Sequence, residues 1–125
     1  MAVVYTFSVQ VETAYLESQS SVEEERYAFS YTVTITNTGN VAAQLISRHW
    51  VITDADNQVQ EVKGLGVIGE QPLLQPNEQF TYTSGTVLNT VFGQMQGSYQ
   101  VVAVDGIQFE AIIPPFTLTA PRVLH

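Results

Sequence analysis

The chain of 125 residues carries four Lys and Arg against twelve Asp and Glu, a net charge of −8, with 45% hydrophobic side chains, 10% aromatics and no cysteine. That length suits one hydrophobic core and so one domain over residues 1–125, and the apolar content is far above that of disordered chains. The charge excludes direct nucleic-acid binding, which needs clustered Lys and Arg, and the lack of thiols excludes disulfides, cysteine nucleophiles and cysteine zinc sites.

In chain order, Met1 to Ser8 has neither the basic nor the apolar region of a leader, and no later stretch approaches the ~20 apolar residues of a membrane span. The expectation is a soluble, cytoplasmic protein without membrane insertion. Tyr5, Phe7, Val9 and Val11 alternate with polar residues as a half-buried strand ending near Thr13. Glu17 to Arg26 is polar and reads as a solvated loop, with a single capped helical turn as the alternative. Tyr27, Phe29, Tyr31, Val33 and Ile35 then fall on one face of a strand, with Ser30, Thr32, Thr34 and Thr36 on the other. Asn37 to Asn40 reverses the chain, and Leu45 to Thr53 is expected to return as the partner strand, its Trp50 filling the space between two packed sheets.

Asp54 to Asn57 reads as a turn and Val59 to Val62 as a short strand. An Asp-x-Asp start suggests a calcium loop, but Val59 and Leu65 stand where that loop needs glycine and glutamate. Phe80, Tyr82 and Ser84 mark a strand stopped at Gly85. Thr86 to Met95 shows no clear period, Tyr99 to Val104 is a strand, and Asp105-Gly106 predicts a two-residue hairpin. Ile107 to Ile113 is expected to end at Pro114-Pro115, and a tail strand covers Phe116 to Thr119. Seven or more short strands with no helical period predict an all-β, immunoglobulin or fibronectin type III-like sandwich, with a closed barrel as the alternative.

Gly64-Leu65-Gly66-Val67-Ile68-Gly69 matches Gly-x-Gly-x-x-Gly, a pattern that receives pyrophosphate when its third glycine opens a helix. Pro72 and Pro76 follow, each removing an amide donor and turning the residue before it away from helical angles, so the glycines read as a tight loop or bulge, with phosphate cradling by Lys63 and backbone amides as the lesser reading. The only imidazoles are His49 and His125, neither in a catalytic pattern, and no Gly-x-Ser-x-Gly elbow occurs.

The blocks Tyr15-Leu16-Glu17-Ser18-Gln19-Ser20, Glu25-Arg26-Tyr27 through Asn37, and Ser47-Arg48-His49-Trp50-Val51-Ile52-Thr53 resemble the ApaG family of small bacterial proteins. So do Gly64 through Pro72, Tyr82-Thr83-Ser84-Gly85, Phe92 through Tyr99, and Ile113-Pro114-Pro115-Phe116. The resemblance implies a fibronectin type III-like sandwich and a link to cobalt resistance and magnesium efflux. Similar domains in eukaryotic F-box proteins and in a DNA polymerase delta-interacting protein imply a protein-binding module. It supplies no catalytic residues.

The reading is therefore a non-enzymatic module without a cofactor or bound metal, for a protein partner of unknown identity, with homo-oligomerisation left open. Its candidate contact residues are Gly64, Leu65, Gly66, Val67, Ile68 and Gly69 in one segment and Phe92, Gly93, Met95 and Gly97 in another, because glycine admits a close backbone and the apolar side chains offer contact area. The alternatives are divalent-cation binding (cobalt or magnesium) and phosphate or nucleotide binding at the glycine-rich loop. Cobalt prefers imidazole or thiolate to lone carboxylates, which disfavours a strong metal site within this chain.

Overall fold

The computed structural model describes residues 2–121. Eight strands follow one another: β1 (Phe7–Tyr15), β2 (Tyr27–Asn37), β3 (Ala43–Asp54), β4 (Val59–Leu65), β5 (Leu73–Leu74), β6 (Gln79–Leu88), β7 (Phe92–Ala103) and β8 (Gln108–Thr119). The only helical piece among the described residues is a 3-10 turn at Glu17–Gln19, tied down by Ser20, whose hydroxyl donates to the Leu16 carbonyl and accepts from the Ala28 amide. One sheet has the order β1-β2-β6; the other has the order β4-β3-β7-β8, with β5 beside β4 on the same edge of β3. All pairings are antiparallel. The two layers enclose one core and form the expected β-sandwich.

The alternation in β2 behaves as predicted: Tyr27, Phe29, Tyr31, Val33 and Ile35 are all buried. The partner assigned to β2 is corrected. β3 does not pair with β2 but crosses to the opposite sheet, where it bonds to β4, β5 and β7. A hairpin and an arch between sheets share the same local signal of strand, turn, strand, and differ only in whether the two apolar faces lie side by side or face each other. Here Asn37 holds the arch. It is almost fully buried, its Nδ2 donating to the carbonyls of Val41 and Leu74 at 2.9 Å each and its Oδ1 accepting from the Gly39 amide at 2.9 Å.

Facing strands bring Trp50 of β3 against rings of both layers. Its centroid lies 5.3 Å from Tyr31 on β2, 5.9 Å from Phe116 on β8 and 6.4 Å from Tyr99 on β7, all near edge-to-face. Gly97 is the residue of β7 directly opposite Trp50, and a Cβ there would collide with the His49 carbonyl oxygen. Only glycine lets β7 approach β3 so closely at this point.

Several strands extend beyond their expected ends. β6 runs through Gly85 to Leu88, and β7 begins at Phe92 rather than Tyr99. β8 passes through Pro114 and Pro115 to Thr119, because it is an edge strand and the two prolines occupy a bulge between Ile113 and Phe116 where no ladder bond is lost. The Asp105-Gly106 hairpin is also corrected. Its loop has three residues, Val104 to Gly106, closed by Ala103 N donating to Ile107 O, with Gly106 at φ +91° as the left-handed third residue.

A hydrogen bond joins the sheets inside the core: the hydroxyls of Tyr82 on β6 and Tyr99 on β7 lie 2.5 Å apart, both buried. Burial pushes the Tyr82 hydroxyl up to about 12 and raises Tyr99 as well. Unfolded phenols ionise near 10, so above that pH the folded chain holds protons the unfolded one has lost. This part of the stability is complete below about pH 10 and is lost as pH rises through about 12. Urea unfolding between pH 8 and 12, followed by Trp50 fluorescence, will show stability flat at first and falling steeply across that window. Tyr82→Phe or Tyr99→Phe alone strands a buried hydroxyl and costs about 1–3 kcal/mol, while the double Phe variant will lie closer to wild type than the sum of the two. Additive losses would mean that the hydroxyls do not depend on each other.

Candidate functional site

The glycine-rich segment is a tight turn with no helix behind it. After β4, Gly66 takes φ +63° and donates its amide to Ile46 O at 2.8 Å. Val67 and Glu70 then exchange N–H···O bonds of 2.8 and 2.9 Å around Ile68 (φ +43°) and Gly69 (φ +79°). Positive φ at both central residues is a type I′ turn, which suits glycine at the second position and strains a β-branched side chain at the first. Three amides of the turn, at Gly66 and Val67 of the motif and at Glu70 just after it, thus bond to backbone carbonyls instead of converging on an anion.

Gly64 serves a different purpose. It faces Arg48 in the β3–β4 register, and a Cβ on it would lie 2.8 Å from Nη1 of Arg48. The bare backbone lets the guanidinium lie across β4 and donate to the carbonyls of Leu65 at 3.0 Å and Gly66 at 2.9 Å. Arg48 therefore clamps the end of β4 and the start of the turn. A bulge at Leu45/Ser47 sets the faces that follow it in β3.

Beside this clamp runs an open groove of about 500 Å³ lined by Ser47, Arg48, His49, Lys63, Gly64, Leu65 and Gln100. Ser47 Oγ donates to Gln100 Oε1 at 2.7 Å, and Gln100 Nε2 donates to Ser98 Oγ at 3.0 Å, so the floor is a fixed polar row. His49 stands opposite Lys63. Its Nε2 is shielded from solvent and makes no hydrogen bond, although Glu61 Oε2 lies 3.5 Å away. Arg48 and Lys63 are two of the chain's four basic side chains, and among the described residues neither has a carboxylate within ion-pair distance. No group of three or more His, Asp or Glu placed to hold a metal occurs among the described residues.

The ten residues predicted as contacts divide sharply. Leu65 and Ile68 are 74% and 59% exposed, whereas Val67 is wholly buried in the core and offers nothing to a partner. In the second segment Phe92 is half exposed, Met95 is wholly buried, Gly93 packs against Leu88, and Gly97 is pressed against the β3 backbone beside it in the sheet. The exposed parts of the two segments lie apart: Leu65 pairs with Ser47, and Gly93, next to Phe92, pairs with Asp54, seven residues away on β3, which at about 3.3 Å per residue is roughly 23 Å, although Gly64 and Gly97 pair with Arg48 and Trp50. His125 lies outside the described residues. The sequence reading missed Ser47, Arg48 and Gln100. The usable signal was the scarcity of basic residues, since Arg48 and Lys63 are two of only four and the strand register pairs Lys63 with His49, the neighbour of Arg48.

The ApaG-domain family profile matches residues 17–103. The ApaG protein of Methylobacillus flagellatus is 66% identical over 121 residues, covering 97% of this chain and 95% of its own, and that of Thiobacillus denitrificans is 65% identical over the same length. A crystal structure from Bordetella pertussis, called ApaA, superposes with a TM-score of 0.92 at 52% identity, covering 95% of this chain and 97% of that one. A second X-ray structure, a structural-genomics target, gives 0.88 at 53% identity with 96% and 91% covered. A family profile over most of the chain, identity at this level over 97% of it and the same sandwich point one way: the chain belongs to the ApaG family.

Proposed function

We propose that this ApaG-family chain is a non-enzymatic, cytoplasmic protein-interaction module that recognises its partner with the type I′ turn at Ile68, the neighbouring Leu65 and the groove beneath them. The observation that carries the reading is Ile68 itself. A β-branched residue is held at φ +43° on an exposed turn tip, where asparagine or glycine would fold with less strain. Strain of about 1–3 kcal/mol at an exposed position contributes nothing to the fold, so its benefit lies in what the side chain contacts. Leu65 adds a second exposed aliphatic group, and Lys63 gives the adjoining groove a positive edge suited to a carboxylate-bearing segment. The chemistry within reach agrees with a binding role: Ser47 donates to an amide oxygen rather than to a base, and the loop amides are committed to carbonyls. The link to cobalt and magnesium is then indirect, through the bound protein, and Phe92 lies toward the other end of the same sheet.

Ile68→Asn creates Asn-Gly, the preferred type I′ pair, and is expected to raise stability by about 1 kcal/mol in urea unfolding. The same change, and more strongly Leu65→Asp with Ile68→Asp, will reduce retention of the partner from the source cell by about tenfold or more, the loss of a contact worth about 2 kcal/mol. A folded double variant that retains the same partner as wild type would overturn the assignment.

A further inference from the structure

We infer that the free edge of β4 is a self-recognition surface, on which a second copy of this chain adds its own β4 antiparallel to make one continuous sheet across a two-fold axis at Val62. β4 is an outer strand of the larger sheet, and its one substantial packing partner is β3. In that pairing Asp54 N donates to Gln58 O and Gly66 N donates to Ile46 O, so the even-numbered residues of β4 direct their backbone groups toward β3. By the alternation of an antiparallel ladder, Val59, Glu61, Lys63 and Leu65 direct theirs outward. The segment has no proline and no bulge, unlike β8, whose outer edge is interrupted at Pro114 and Pro115.

The outward groups can bond only to a strand that meets odd residues with odd residues, and side-chain charge then selects one register. With Val62 on the axis, Glu61 of each copy faces Lys63 of the other and Val59 faces Leu65, two aliphatic residues that are 61% and 74% exposed in the single chain. Sliding the strands by one step of the ladder puts Glu61 against Glu61 in one direction and Lys63 against Lys63 in the other. Opposite charges across a strand pair attract and like charges repel, so the register is specified by repulsion as well as attraction. The interface is isologous, as a two-fold requires. Leu65 and Lys63 belong to both surfaces, whereas Ile68 lies beyond the paired segment, so Ile68→Asp tests partner binding and Glu61→Lys tests self-pairing, each without removing the other's key side chain.

One seven-residue edge per copy is less than a standard interface, so association is weak and is measured at high concentration. Sedimentation velocity from about 10 μM to about 1 mM will show a monomer–dimer equilibrium for the wild-type chain. Glu61→Lys and Lys63→Glu, both at exposed positions and checked for folding by circular dichroism, will each weaken it by about tenfold or more. An equimolar mixture of the two variants will recover the wild-type affinity as a heterodimer, because each like-charged edge then meets the opposite one. A wild-type chain that stays monomeric throughout would overturn the proposal and leave the edge to a foreign strand. So would single variants that dimerise like wild type, or a mixture that does not recover.

Discussion

Trp50 sets the spacing of the molecule. Its ring lies between the two sheets, edge-on to Tyr31 above and to Tyr99 and Phe116 in its own layer, and each such aromatic pair adds about 0.5–1.5 kcal/mol beyond the area it buries. Gly97 makes the arrangement feasible by letting β7 press against β3 directly beside the ring. The Tyr82–Tyr99 hydrogen bond and the buried Asn37 then fix how the layers are joined, one at the centre and one at the arch. With polar groups satisfied at both places, the sandwich has little freedom to slide.

That rigidity defines what the surface can do. The glycine turn is an extension of β4, held to the sheet by the Arg48 guanidinium lying over Gly64 and by the Gly66 amide on Ile46. A turn so constrained presents Ile68 in one direction only, at a small entropic cost to whatever binds it. The glycines thus have three separate causes: room for Arg48 at Gly64, a left-handed bend close to Glu70 at Gly66, and the second turn residue at Gly69. A dinucleotide site needs the same letters for a different purpose, with a helix amino terminus behind them, and none follows here.

The loop and the β4 edge are also arranged to act together. Pairing of two chains about Val62 would carry the two turns outward at opposite ends of the shared ladder, presenting two copies of the Ile68 tip. Two weak contacts on one rigid body bind a repeated or dimeric partner more tightly than either alone. The acidic surface elsewhere would discourage other contacts between copies, leaving the region around Lys63 as the place where like charge does not oppose approach.

The sequence by itself determined the all-β class, the buried face of β2, the role of Trp50 and the family, because each is written in local alternation or in ordered blocks of residues. It also showed that the glycine motif lacks a following helix, since proline forbids one within a few residues. Only the tertiary structure decided that β3 leaves the sheet of β2, that Met95 and Val67 are core while Leu65 and Ile68 are not, and that exposed Leu65 and Phe92 lie far apart along β3. It likewise decided that Arg48, Lys63 and Gln100 share a groove. The physical reason is common to all of these: period and turn chemistry report which way a side chain points from its own strand, but the neighbour it meets depends on pairing and register, which are set by contacts between residues far apart in the chain.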